Sequence, residues 1–413
     1  MDHIFSLTPI VERANEFGIP LWIAAIDFQK AFDSVSHAAI WEALAEQDVE
    51  KEYIELLQRL YDGQEATVHT DTRSNCFQIH RGTKQGDPIS AILFNAVVEM
   101  FMTKAKARWA KRKYGMKVDN FSEEDYLTNL RYADDILIVP RSLPQIRQML
   151  ADIEVEAGKV GLKLHPEKTK ILHNSIGYGT NAKRAKCGTM NIEILDGEGQ
   201  TTYLGRAVRL IAMDDEEIKS RIAKAWAKYG VFRQELNDHD VPVHLRMKLF
   251  DAVISQTILY GCEAWAMKQK SQHKLRATQR KMMRLLTRAH KTYGNYDNYK
   301  DWIKDSTVAA ESARIQHGVK SWTTIQCQKK WDWAGKVAQS HGGRWTDTST
   351  KWKPNQTRVR GRPKQRWSDS INNFLTSHTG TEHQDDDWLS IARDPIAWHR
   401  LKEDYAHYAD LKQ

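Results

Sequence analysis

Apolar and polar positions follow two regimes along the chain. Up to about residue 212, short apolar runs alternate with helical stretches; from about Asp214 onward the period is helical. Leu21 to Ile26 is a short apolar run that ends at Asp27, which predicts a buried strand with a carboxylate at its C-terminal end. Ser36 precedes Ile40, Trp41, Leu44 and Ala45 at helical spacing and predicts a capped helix. Val49, Tyr53, Leu57 and Leu60 continue that spacing until Asp62-Gly63 breaks it. Ala66, Val68, Phe77 and Ile79, around the polar stretch Asp71 to Asn75, predict a hairpin. A long helix is expected from about Ser90 to Lys113. Leu130 to Val139 reads as two short strands with Ala133-Asp134-Asp135 at the turn. Ser142 is expected to cap a helix carrying Leu143, Ile146, Leu150 and Ile153, and two short strands should surround Pro166 and Lys168. Ile192 to Leu195, the turn at Asp196-Gly197, and Thr201 to Leu204 read as a second hairpin.

In the second regime, Lys268 to Lys291 is a basic helix. Leu275, Met282 and Leu286 share one face, with Lys274, Arg276, Arg280, Lys281, Arg284 and Arg288 largely elsewhere. Residues 340–366 are poor in apolar residues and read as a linker. Four of 14 tryptophans (Trp22, Trp41, Trp109, Trp226) precede residue 260, so the late part is aromatic-rich and expected to fold.

Length and composition narrow the picture. At 413 residues the chain exceeds what one core usually supports, so at least two domains are expected. No run approaches the roughly 20 apolar residues of a membrane helix, and no membrane partner is expected. The N-terminal ten residues lack the basic-then-apolar order of a signal peptide, which favours nucleus or cytosol over secretion. Cys76, Cys187, Cys262 and Cys327 form no C-x-x-C pair and read as ordinary thiols. A net charge of +8 is compatible with a nucleic-acid partner without requiring one.

The chemistry is carried by three segments together: I-D-F-Q-K-A-F-D at Ile26 to Asp33, R-G-T-K-Q-G-D-P at Arg81 to Pro88, and Y-A-D-D at Tyr132 to Asp135. A strand-end carboxylate beside a hairpin-tip pair makes a platform for two hard cations, which bind carboxylates and phosphate oxygens. Asp33 competes with Asp27 for this role, but it sits in the expected turn toward the helix.

In this order the segments resemble the palm of reverse transcriptases of non-LTR (LINE-type) retrotransposons. Gly161 to Lys170 and Tyr203-Leu204-Gly205 extend the resemblance, and Leu259 to Trp265, Arg360 to Trp367 and Trp388 to Trp398 carry it into the tail. The resemblance implies an α+β fold: a right-hand polymerase palm (antiparallel sheet with helices on one face), partial fingers, then a helical thumb and C-terminal region. The implied division is 1–175 palm with residual fingers, 176–212 primer-grip hairpin region, 213–339 helical thumb/connection, 340–366 basic linker and 367–413 C-terminal helical segment. It implies RNA-directed DNA synthesis by two-metal nucleotidyl transfer, with two Mg²⁺ ions or Mn²⁺, dNTP, RNA template and DNA primer or target DNA. Carried over by position, Asp27, Asp134, Asp135 and the Phe28 carbonyl would bind metal, and Lys168 would be a general acid. Phe32 would exclude a ribose 2′-OH, and Gln85 and Gly86 would lie against the incoming nucleotide. Tyr203, Leu204 and Gly205 would grip the primer, and Lys274, Arg276, Arg280, Lys281, Arg284 and Arg288 would meet nucleic-acid backbone.

Family members carry an upstream fingers region that is largely absent before Asp27, so the chain is expected to be an amino-terminally shortened polymerase. Two alternatives stay open: a catalytically incompetent retroelement remnant that only binds nucleic acid, and a maturase-like RNA-binding protein. Arg360-Gly361-Arg362-Pro363 also resembles an AT-hook core, with an arginine-rich linker as the plainer reading.

Overall fold

The computed structural model describes residues 1–84, 86–118, 126–176, 181–288, 294, 296–340, 343–361, 364–380 and 387–411. The first half contains α1 (Asp2–Glu16), β1 (Trp22–Ile26), α2 (Ala31–Ser34), α3 (His37–Glu46), α4 (Lys51–Tyr61), β2 (Glu65–Ala66), β3 (Phe77–Gln78) and α5 (Pro88–Lys111). It continues through β4 (Met116–Lys117), β5 (Tyr126–Leu127), β6 (Asn129–Tyr132), β7 (Asp135–Ile138), α6 (Leu143–Lys159), β8 (Lys170–His173), β9 (Arg184–Cys187), β10 (Met190–Leu195), β11 (Thr201–Tyr203) and β12 (Arg206–Val208).

The helical half runs α7 (Met213–Val231), α8 (Arg233–Asn237), α9 (Val243–Phe250), a π-turn Asp251–Ser255, α10 (Gln256–Ile258), a 3₁₀ turn Cys262–Ala264 and α11 (Gln269–Leu286). Then come α12 (Tyr299–Gln316), α13 (Trp322–Gln339), α14 (Trp345–Lys351), α15 (Asp369–Thr379), α16 (Asp387–Ile391), α17 (Pro395–Arg400) and α18 (Lys402–Leu411).

Six strands form one sheet in the order β6-β7-β1-β8-β10-β9. All its pairs are antiparallel except β8 with β10. Period-2 alternation explains how β1 is buried on both sides. Trp22, Ala24 and Ile26 face a core built with α3, α5 and α6, while Ile23 and Ala25 face a second core with Leu7, Ile10 and Val11 of α1. The sheet therefore carries α3, α5 and α6 on one face. A helix that the sequence reading did not assign, α1, covers the other.

Several elements fall where the pattern put them. Ser36 caps α3, its Oγ accepting from the Ala39 N–H at 3.2 Å. Pro88 occupies the first turn of α5, where no donor is needed, and Asp87 caps it through Ile89 N–H. Ser142 stands at the N-cap of α6 but makes no side-chain cap hydrogen bond. By length and composition α5 is apolar enough to cross a bilayer. Its apolar side chains, Leu93, Phe94, Val97 and Phe101 among them, are instead buried in the sheet-facing core.

The second expected hairpin is a correction. β10 does not pair with β11; it enters the main sheet beside β8 and β9 because Ile192 and Ile194 alternate inward into the core. Thr201–Tyr203 pairs with Arg206–Val208 across Leu204-Gly205, both with left-handed backbone (φ 50° and 71°). Leucine adopts that region only at a cost, which the surrounding contacts must offset. The stretch 340–366 holds more than a linker. α14 lies in it, Trp345 and Trp352 pack with the second core, and Arg358 and Arg366 pair with Glu16 of α1 at 3.1 and 2.7 Å.

Helix α1 is consequently enclosed. Leu7, Ile10 and Val11 meet the sheet, whereas Ile4 and Phe5 enter a C-terminal core where the Phe5 ring lies edge-on to Trp367 at 4.7 Å. Glu12 accepts the Trp367 N–H at 2.9 Å. Burial, followed by the Asp214 charge, pushes its carboxyl from 4.5 up to about 8. The folded chain then holds a proton that the unfolded chain releases, so this contribution to stability is full below 4.5 and is lost as pH rises toward about 8. Glu12→Gln keeps the acceptor and removes the charge. It should raise the melting temperature at about pH 8.5 and leave it near the parent value at about pH 5. Equal shifts at both pH values would contradict this account of Glu12.

Candidate active site

The site is assembled by strand register. Ile26 of β1 pairs with Ile136 of β7, so Asp27, one residue past β1, comes level with Asp135 at the start of β7. Tyr132 and Asp135 pair across the turn Ala133-Asp134, and Ala133 takes a left-handed backbone (φ 51°) that projects the second carboxylate from the tip. Burial pushes the Asp135 carboxyl above its ordinary range, and the charges of Asp134 and Asp27 push it the same way. Thus the three carboxylates share one electrostatic site. Among the described residues, the only set of three metal-ligand-type side chains with ligand atoms within 4.8 Å of one another is the exposed Asp238, His239 and Asp240. The ligand atoms of the three aspartates do not all lie within that distance of one another. Their chemistry, hard oxygen donors on rigid strand ends, suits Mg²⁺ or Mn²⁺.

Asp27 is held from the side opposite β7. Its N–H donates to Thr169 Oγ1 at 3.3 Å, and its carbonyl accepts the His165 N–H at 2.8 Å. Lys168 Nζ lies 3.8 Å from Asp27 Oδ1, and the lysine is largely exposed. Phe28 is buried, bridging Leu164 and meeting Phe101 edge-on at 6.2 Å. Thr169 was not singled out by the sequence; its place directly after Lys168, in a turn returning to β1, is the signal that could have found it.

The second motif reaches the first through backbone. Gly82 N–H donates to Val35 O and Thr83 N–H to Phe32 O, each at 2.7 Å. A Cβ on Gly82 would come within 2.8 Å of Asp33 O, so only glycine permits this approach. Phe32 is half-buried and stacks on Phe94 of α5 at 4.5 Å. Gly86 is exposed with φ +91° and has open space around it, so its glycine serves the turn rather than a crowded contact. Gln85 lies outside the described residues, as do Arg362 and Pro363 of the AT-hook-like segment.

The Tyr203-Leu204-Gly205 turn is fastened to both halves. Tyr203 is buried, and its hydroxyl donates to Leu130 O at 3.1 Å, so its ring supports the turn from below. Tyr260 OH donates to Leu204 O at 2.9 Å, while Arg221 Nη2 donates to Gly205 O at 2.6 Å. Arg221 also pairs with buried Glu217 at 2.6 Å, and Arg206 pairs with Asp214 at 2.6 Å. These α7 contacts were not read from sequence; the i,i+4 spacing of Glu217 and Arg221 is their only trace.

On α11 the basic residues divide. Arg276 donates to Thr323 Oγ1 and Arg284 to Thr307 Oγ1, and Arg280 lies 3.5 Å from Glu311, so these three are engaged within the helical half. Lys281 sits over the Trp226 ring at 5.4 Å. Lys274 borders an open hollow with Lys270 and His273, and Arg288, just past the helix, is half-buried with φ 60°. By contrast, α7 presents exposed Lys224 and Lys228, and Lys224 Nζ lies 3.4 Å from Gly205 O at the turn.

Three comparisons place the chain among known proteins. Residues 5–208 match the family model described as reverse transcriptase (RNA-dependent DNA polymerase). Over 279 residues the chain is 28% identical to a transposon-derived protein of Caenorhabditis elegans, covering 66% of this chain and 94% of that one. It is 34% identical over 149 residues to the retrovirus-related Pol polyprotein of a type-2 retrotransposable element of Drosophila melanogaster, covering 36% of this chain and 13% of the polyprotein. The telomerase of Candida tropicalis, solved in complex with a fragment of telomeric RNA, aligns at a TM-score of 0.40 and 13% identity over 80% of this chain and 49% of that one. The chain thus spans nearly all of the nematode relative and about an eighth of the fly polyprotein.

Proposed function

Residues 5–208 belong to the reverse transcriptase (RNA-dependent DNA polymerase) family, and on that premise we propose that this chain extends a DNA primer on an RNA template as the polymerase part of a non-LTR retrotransposon. The observation that carries the reading is the convergence of Asp27, Asp134 and Asp135 at adjoining strand ends, with Phe32, Gly82 and Thr83 alongside.

In this reading Asp27, Asp134, Asp135 and the Phe28 carbonyl would hold two Mg²⁺ ions. Bound there, the ions supply charge neutralisation on the triphosphate and a more acidic primer hydroxyl. The chain's own residues orient and exclude. Thr169 and His165 fix the Asp27 backbone beside the hairpin tip. Lys168, 3.8 Å from Asp27 Oδ1, would be the proton donor to the leaving pyrophosphate. Phe32, stacked on Phe94, fills the space beside the sugar. The Leu204-Gly205 turn, tied to Arg221 and Tyr260, holds the primer end, and Lys224 and Lys228 continue the path along α7 as phosphate contacts.

The direct test is extension of a labelled DNA primer on an RNA template with dNTPs and Mg²⁺, with and without a chelator. Chelator-sensitive extension is expected; a folded, template-binding protein that never extends overturns the polymerase reading. For the α7 path, Lys224→Ala/Lys228→Ala should reduce the slope of log affinity against log salt by roughly 1.4 to 1.8, two phosphate contacts' worth. An unchanged slope would remove both lysines from the interface.

A further inference from the structure

Lys30 stands between two residues of the site, three positions after Asp27 and two before Phe32, and nothing so far gives it a part. Three residues of chain span at most roughly 10 Å, so the Lys30 backbone stays close to the end of β1 that carries Asp27. That backbone is left-handed, with φ 45° and ψ 52°. A residue with a Cβ enters this region at a cost, which glycine avoids.

The neighbours show why the strain persists. Gln29 is fastened three times: its N–H donates to Lys163 O at 2.8 Å, its Nε2 donates to Leu164 O at 3.2 Å, and its carbonyl accepts from Ser34 Oγ at 3.1 Å. On the other side Ala31 is buried in the core that β1 shares with α5. Lys30 O accepts the Asp33 N–H at 3.0 Å. The chain is thus held before and after Lys30. Its side chain is left exposed, and no carboxylate among the described residues pairs with it. Strained backbone that its surroundings enforce collects at sites where a ligand is held.

Charge identifies the ligand. Three carboxylates offset most of the charge of two divalent ions, so the phosphates of an incoming nucleotide call for further cations from the chain. Lys168 already faces Asp27 at 3.8 Å. Lys30 has no such partner. Its place agrees with this: a nucleotide with its sugar at Phe32 and its reacting phosphate at Asp27 lays its phosphates along the loop 28–31 that joins them.

We propose that the Lys30 side chain binds the β- and γ-phosphates of the incoming nucleoside triphosphate. The assignment rests on the polymerase reading and adds a substrate contact that the three aspartates do not supply. Lys30 attracts and orients the phosphates; no proton moves to or from it.

The test is nucleotide binding by the full chain on an RNA template with a dideoxy-terminated primer and Mg²⁺, so that no bond forms. Survival of the complex under a heparin challenge reads the affinity for the next dNTP. Lys30→Gly should weaken that affinity at least about tenfold, the scale of one hydrogen bond to a charged group. The same variant should bind template-primer as the parent does and melt no lower, because glycine accepts the left-handed backbone. Lys30→Arg should retain most of the affinity. Inorganic tripolyphosphate, measured by competition, should lose affinity for Lys30→Gly by the same factor as the dNTP. A Lys30→Gly protein with the parent's dNTP affinity overturns the proposal. So does an unchanged affinity for tripolyphosphate, or a parent that captures no nucleotide. Primer extension separates this from the polymerase reading. A parent that extends, with Lys30→Gly equal to it in dNTP affinity, loses only the Lys30 contact; one that holds the nucleotide through Lys30 but never extends an unblocked primer loses only the polymerase.

Discussion

Primer extension by Asp134→Asn/Asp135→Asn should fall to background while the protein stays folded and still binds template-primer. The two side chains occupy the start of β7 and the turn before it. Asparagine keeps the size and removes two of the three carboxylates that converge there. Cation stabilisation of a phosphoryl transfer state is worth several kcal/mol, so a loss of at least about a thousandfold is expected. The substitution also relieves the repulsion that raises the Asp135 carboxyl, so the variant should melt no lower than the parent. Extension at a tenth of the parent rate or better would remove Asp134 and Asp135 from the metal site. Lost binding together with lost extension would instead point to a collapsed hairpin.

The second large effect concerns sugar choice. Phe32→Val should admit ribonucleotides, with discrimination between dNTP and rNTP falling by about 10- to 200-fold, the range that small changes in a packed pocket command. The ring lies 4.5 Å from Phe94 in a stacked arrangement and cannot swing away without leaving that contact. Truncation opens space on the nucleotide side and loses part of the stacking with Phe94. Some loss of stability therefore accompanies the change, and the melting temperature must be read alongside the kinetics. Undiminished discrimination in a folded Phe32→Val protein would mean that another group excludes the 2′-OH.

The strands that carry Asp27, Asp134 and Asp135 were legible because their signal is local. An apolar run ending in Asp27, and an Asp pair flanked by apolar residues, need no distant information to be read as strand ends. The cap at Ser36 is local in the same sense. What escaped was decided across distance. β10 looks like half of a hairpin in sequence, yet Ile192 and Ile194 find a better partner in β8, some twenty residues earlier. The arginines of α11 look outward on a helical wheel, yet Thr307, Glu311 and Thr323 of α12 and α13 claim them. The segment 340–366 looks like a linker because few of its residues are apolar, and two tryptophans with paired arginines suffice to fold it against α1.

The enclosure of α1 also bears on how the chain reaches this state. Made before its C-terminal partners, α1 leaves Ile4 and Phe5 uncovered until Trp367 and Phe374 follow. Contacts so far apart in sequence close late and slow folding, and apolar surface left open meanwhile is prone to aggregate. Shorter pieces ending before α15 should accordingly need a chaperone or a solubilising fusion that the whole chain does not.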